Sequence, residues 1–191
     1  MALGALALAL MAALAESPGP SSRRTGWILS EIHYHPADRT DGRNLEFVEL
    51  QNTEVFPEDL GGFRLEGELN ITFPSPFMVP AGGYVVVAPS PEDVTTVYGI
   101  SGVLSGSTNR LANSGGNVRL RNPAGAVLLD VNYSDEPPWP VAADGGGPSL
   151  VLFRPSFGEG DTRAWESSAL VGGSPGRGEP SRDNPWQTVI F

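Results

Sequence analysis

From Trp27 onward the apolar residues come in short runs, WILSEIHY, LEFVELQN, GFRLEG, LNITF, YVVVA, NVRLRN, AVLLDVNY and SLVLFRP, separated by glycine, proline and other turn residues. Runs of this length suit strands, and the turn residues recur at spacings usual in β-sandwiches. That rhythm restricts the chain to an all-β fold. Its 191 residues supply one core with tails and fit two full domains poorly. The 24 glycines and 18 prolines lie between the runs and form no low-complexity block, which is the punctuation of a sandwich and not of a helical bundle.

Three local patterns sharpen the reading. RNPAGAV predicts a hairpin, with Pro123 and Gly125 at the second and fourth positions of a type I turn. YVVVA does not alternate, so it belongs to a strand buried on both faces or central to its sheet. SPEDVTTVYG breaks the β pattern: Ser90 suits an N-cap, Pro91 the first helical position, Glu92 and Asp93 the positive helix start, and Gly99 the end. One short helix is expected near residues 90–98.

The ends read differently. Residues 1–15, MALGALALALMAALA, are uncharged and shorter than the roughly 20 residues that span a bilayer. They read as a signal peptide, with Ala13 and Ala15 as the small residues before a cleavage at Glu16; export to the medium or the cell surface follows. No positive charge precedes Arg23, where a secretory leader usually begins with one. Residues 16–26 read as a disordered lead-in, 27–176 as the folded domain and 177–191 as a linker or tail, since GGSPGRGEPSRDNP has linker composition. The absence of cysteine excludes a disulfide scaffold. The net charge of −10, with all twelve basic residues arginines and scattered, makes a surface that repels phosphate backbones and argues against direct nucleic-acid binding.

The residues with chemical potential are few. In EIHYHP, Glu31, His33 and His35 point to one side of a strand and Ile32 and Tyr34 to the other. A zinc ion needs about four ligands at roughly 2.0–2.3 Å, whereas Glu31 and His35 lie roughly 13 Å apart along an extended strand. The stretch is therefore read as a strand, its polar face meeting solvent or polar groups of neighbouring strands, and replacing both histidines should shift stability little. In EFVEL, Phe47 and Glu49 share one face and Glu46 and Val48 the other; two carboxylates flanking a cleft would suit a glycosidase, but no further feature of such a site accompanies them. No Gly-x-Ser-x-Gly elbow precedes a histidine, and the glycine runs lack the lysine of a phosphate loop. In SDEPPWPVAADGGGPSL the prolines make a stiff loop around Trp139, which reads as a plug on the end of the core. The alternative there is calcium, with Asp135, Glu136 and Asp144 as oxygen ligands; apart from that ion no cofactor is expected. Asn70 and Asn132 sit in N-x-[ST] sequons.

The ordered phrases ILSEIHYHP, LEFVELQNTEVFPEDLGGFRLEG, ITFPSPFMVPAGGYVVVA, LSGSTNRLANSGGNVRLRNPAGAVLLDVNYSDEPPWPVAADGGGPSLVLFRP, AWESS and GGSPG together resemble the lamin-tail domain, in the form found in secreted bacterial proteins. The resemblance runs from Trp27 to Gly176. It implies an immunoglobulin-like β-sandwich and a non-enzymatic interaction, adhesion or architectural role toward an unidentified protein or cell-surface partner; Trp27, Tyr34, Phe47, Trp139 and Trp165 are read as structural residues. Family members are often joined to enzymes or surface proteins. The chain departs from the usual wording in having Ser174 where threonine precedes Pro-Gly and Ser30 where asparagine precedes Glu-Ile. Two rivals remain open: a metal-dependent hydrolase, which requires three polar groups to converge in a pocket, and a nuclease-associated accessory module, which requires an arginine face including Arg110, Arg119 and Arg121.

Overall fold

The computed structural model describes residues 25–106 and 110–180. The leader, the lead-in up to Arg24 and the tail beyond Pro180 lie outside them. The strands are β1 (Trp27–His33), β2 (Phe47–Asn52), β3 (Glu58–Asp59), β4 (Arg64–Gly67), β5 (Ile71–Thr72), β6 (Met78–Val79), β7 (Tyr84–Ala88), β8 (Leu104–Ser105), β9 (Gly115–Arg121), β10 (Val127–Ser134), β11 (Pro148–Leu152) and β12 (Trp165–Val171), with one helix, α1 (Pro91–Tyr98). Six form a sheet in the order β12-β11-β1-β2-β7-β8, four a second sheet in the order β10-β9-β4-β5, and β3 pairs with β6 as a ribbon. Every pairing is antiparallel except β7 with β8. The result is an immunoglobulin-like β-sandwich, and each apolar run named above carries a strand.

Between the sheets lies one core. Leu29, Ile32, Val48, Leu50, Val87 and Leu150 of the six-stranded sheet meet Leu65, Val118, Leu120, Leu129 and Val131 of the other. Strict alternation along β1 would put Trp27 and Leu29 on the face opposite Ile32. A register shift between Leu29 and Glu31 relieves this: the extra residue reverses the phase, so that Trp27, Leu29 and Ile32 all point inward while Glu31 and His33 point outward.

The outer face of that sheet is covered as well. YVVVA is buried along Val85–Ala88, with Val86 and Ala88 packing outward against Phe47 and against Val94 of α1. The helix starts on Pro91 and ends at Gly99, whose φ of 66° lets its N–H reach Thr95 O. Ser90 occupies the N-cap position without a side-chain cap bond. The β9–β10 hairpin closes as its sequence indicated, with Gly125 N–H donating to Asn122 O at 2.9 Å.

Two segments differ from the sequence reading. β12 is absent from the runs above because Glu166, Ser167 and Ser168 interrupt its apolar residues; it nevertheless pairs with β11 from Leu152↔Trp165 to Pro148↔Val171. The stretch after Val171, linker by composition, lies on the outer face of the sheet and is tied there as far as Glu179. Trp139 and Trp165 are both part of the core, with ring centroids 5.9 Å apart.

Candidate functional site

Glu31 and Glu49 stand directly opposite each other on β1 and β2, both on the outer face and both 1 % exposed. Carboxyls in such a place need donors, and they find them in serines of β1 and β11 and in the stretch after β12. Ser149 Oγ of β11 donates to Glu31 Oε1. Ser174 N–H donates to the same oxygen at 2.9 Å, and Ser174 Oγ lies 3.1 Å from Glu31 Oε2. Glu49 accepts from Ser30 Oγ at 2.6 Å and from Gly176 N–H at 2.6 Å. Glu179 completes the set, with Ser168 Oγ at 2.9 Å and Ser174 Oγ at 3.0 Å.

Burial is the main cause that pushes Glu31 up to about 7, against the hydrogen bonds from Ser149 and Ser174 and with repulsion from Glu179. Burial likewise pushes Glu49 up to about 8, with the neighbouring Glu31 adding to it. The geometry agrees with a proton on Glu31. Ser174 Oγ touches the carboxyls of Glu31 and Glu179 and has one hydrogen to give, so a protonated Glu31 supplies the second bond. Beside the pair a groove of about 180 Å³ opens, lined by Ile28, Gln51, Tyr84, Phe153 and Arg177 among others.

Chemically, a carboxyl that titrates near neutrality beside a groove resembles a general acid. Its oxygens, however, are taken by donors of the fold itself. The arrangement is a latch: two protonatable groups on neighbouring strands hold the turn Gly173–Gly176 on the sheet. Gly173 has no room for a side chain, because a methyl group at its Cα would overlap Glu31 Oε1.

His33 and His35 part company. His33 is 1 % exposed, with Nδ1 3.0 Å from Leu45 O and Nε2 3.1 Å from Gly147 O. The neutral ring can donate to one of these carbonyls and the cation to both. Burial opposes the cation and holds the pKa at about 4. The expectation that both histidines can be replaced at little cost is therefore corrected for His33, which fastens the approach to β2 to the start of β11. His35 is half-exposed and pairs with Asp144, Nδ1 to Oδ1 2.5 Å.

The calcium candidates are not brought together. Asp144 is engaged by His35, Asp135 takes the Ser134 hydroxyl at 3.4 Å, and Glu136 is exposed. Among the described residues no group of three or more histidine, aspartate or glutamate side chains is placed to hold a metal ion. Two of the three arginines are paired where they stand, Arg119 with Asp130 at 3.0 Å and Arg121 with Glu66 at 2.7 Å, while Arg110 lines a separate hollow with Arg39 and Arg43. Trp27, Tyr34, Phe47, Trp139 and Trp165 are all buried; Tyr34 stacks on Tyr133 at 4.9 Å.

Sequence reasoning missed Ser149, Ser174 and Glu179 as partners of the glutamates. A signal was present in the two departures from the usual wording. Ser30 and Ser174 are the hydroxyls that meet Glu49 and Glu31, one from each end of the domain.

The sequence model of the Lamin Tail Domain family matches residues 20–135, more than half of the chain. The match stops before β11, β12 and the latched turn. No curated protein matches the chain.

Proposed function

The chain belongs to the lamin tail domain family, and from that premise we propose that it is a non-catalytic extracellular module that binds a protein or cell-surface partner. The observation that carries this reading is the state of its buried titratable groups: both oxygens of Glu31 and of Glu49 and both ring nitrogens of His33 are engaged by partners within the fold, as in structural positions. What the sandwich offers to the outside is its loops, the parts of such folds that carry recognition. Export is supported by the uncharged first fifteen residues and the Ala13 and Ala15 positions; among the described residues no helix is long and apolar enough to cross a membrane.

Two measurements test the proposal. The N-terminus of the product made in a bacterium with an export pathway should begin at Glu16 by mass spectrometry, and a sole cytoplasmic product retaining Met1 counts against export. Fluorescently labelled full chain should bind cells of its source saturably and be displaced by excess unlabelled chain; absent or unsaturable binding overturns the module reading.

A further inference from the structure

Seven large apolar side chains among the described residues are exposed, and three of them, Val55, Phe56 and Met78, lie on the turn after β2 and on β6. The fold brings these three together on fixed backbone. The side-chain NH2 of the buried Asn52 lies within hydrogen-bond reach of Phe56 O at 3.0 Å, Val79 O at 3.1 Å and Pro80 O at 3.0 Å and shares its two hydrogens among them, which pins the turn after β2 against the β6 end. In the β3–β6 ribbon Met78 pairs with Asp59, and Asp59 Oδ1 accepts the N–H groups of Gly61 and Phe77 at 2.8 Å each. The ribbon buries Val79 at 2 % and presents Met78 at 58 %, beside Val55 at 90 % and Phe56 at 51 %.

Charge frames this apolar tip on one side of the sign. Glu54 precedes Val55, and Glu58 and Asp59 follow Phe56 and Pro57. None of the three carboxylates enters an ion pair among the described residues, whereas Asp41, Glu66, Asp93, Asp130, Asp161 and Glu166 each have an arginine. Exposed apolar groups favour being covered, and carboxylates beside them favour a covering surface of opposite sign; of the three, Asp59 is also held by the N–H groups of Gly61 and Phe77.

Resting on the module reading above, we propose that Val55, Phe56 and Met78, framed by Glu54, Glu58 and Asp59, are the docking surface for a protein segment in which arginine or lysine alternates with apolar side chains. The apolar groups supply the dry centre of the contact and the carboxylates its orientation and salt sensitivity. A lipid surface fits less well, because anionic headgroups repel the same carboxylates.

The probe is a fluorescein-labelled peptide of alternating arginine and leucine, titrated with full chain and followed by anisotropy, beside a glutamate–leucine peptide of the same length. The first should bind and the second should not. Val55→Ser/Phe56→Ser should weaken binding about tenfold or more, the scale of losing an interface anchor, with the thermal midpoint unchanged because the replaced side chains are exposed. Glu54→Gln/Glu58→Gln should weaken it several-fold and flatten its dependence on salt, and Val141→Ser/Val171→Ser, exposed apolar residues elsewhere, should bind as the parent does. The proposal is overturned if the parent ignores the arginine–leucine peptide, if the tip variants bind it equally, or if the tip binds phosphatidylcholine or phosphatidylserine vesicles in its place. Cell binding retained by Val55→Ser/Phe56→Ser removes the tip and keeps the module. Peptide binding by a chain that does not bind cells removes the module at the cell surface and keeps the tip.

Discussion

On its inner face the six-stranded sheet meets the second sheet through Leu29, Ile32, Val48, Leu50 and Leu150; on its outer face, over the same strands, it meets the Gly173–Glu179 stretch through Glu31 and Glu49. Both faces bury side chains, and different physics closes them. Apolar contact is non-directional and indifferent to protons, so the inner face tolerates repacking and ignores pH. The outer contact depends on donors aimed at particular oxygens and on a carboxyl pair whose charge burial penalises. One side holds the fold; the other holds a segment to the fold and makes that hold depend on the medium.

Substitutions should separate the two faces, beginning with the largest effect. Trp139→Ala, in the inner core beside Trp165, should cost about 3–5 kcal/mol out of the roughly 5–15 kcal/mol of a typical domain, equally at all pH values by denaturant titration. Gly173→Ala breaks the outer face alone. Its φ of 78° costs about 1–3 kcal/mol for an L-residue, and overlap with Glu31 adds to that. Proteolysis should then cut between Gly173 and Pro180 well before the sandwich unfolds; resistance equal to the parent's would show that the latch is not what holds this stretch. His33→Gln, which removes the buried ring and its N–H from between Leu45 O and Gly147 O, should cost about 1–3 kcal/mol, whereas His35→Gln at the half-exposed surface should stay within about 0.5 kcal/mol.

The proton dependence has a defined sign. The folded pKa values of Glu31 and Glu49 stand above the ordinary 4.5, so their contribution is whole below that pH and is lost as pH rises through about 7 and 8. His33 runs the other way: lowered from 6.5 to about 4, it contributes above 6.5 and is lost as pH falls through about 4. Between about pH 6.5 and 8 the carboxyl pair therefore acts without opposition from His33. The thermal midpoint should fall across that window, by up to about 1.4 kcal/mol of stability per pH unit for each proton held by the folded state alone. Glu49→Gln imitates the protonated carboxyl, since its oxygen can take Gly176 N–H and its amide can meet Ser30 Oγ, and it should shrink the fall. A midpoint that rises from pH 6.5 to 8 would contradict a protonated latch.

The inner face was legible in the sequence because its information is local. Period-two patterns and turn residues mark the strands one by one, and the phase break between Leu29 and Ile32 already encodes the register shift. β12 escaped because Ser167 and Ser168 sit where a strand of this kind usually shows apolar residues. The outer face was legible only in part. The pattern placed Glu31 with His33 and Phe47 with Glu49 on shared faces, but whether that face is wet or dry is decided by Ser174, 143 residues along the chain from Glu31. YVVVA held an indirect clue: a strand apolar on both sides needs a cover on the outside, and β2, which pairs with it, lies at the edge of that cover.

Glu179 gives the latched stretch a further consequence. β12 is an edge strand, and edge strands expose main-chain groups that can recruit a strand from another molecule. The Glu179 carboxylate occupies Ala169 N–H and the Ser168 hydroxyl on that edge, as a stopper occupies the open end of a zip. A recombinant fragment trimmed after Gly176, where composition alone invites the cut, would keep every core residue and lose the stopper; its signature would be self-association that grows with concentration while the monomer's melting curve barely moves.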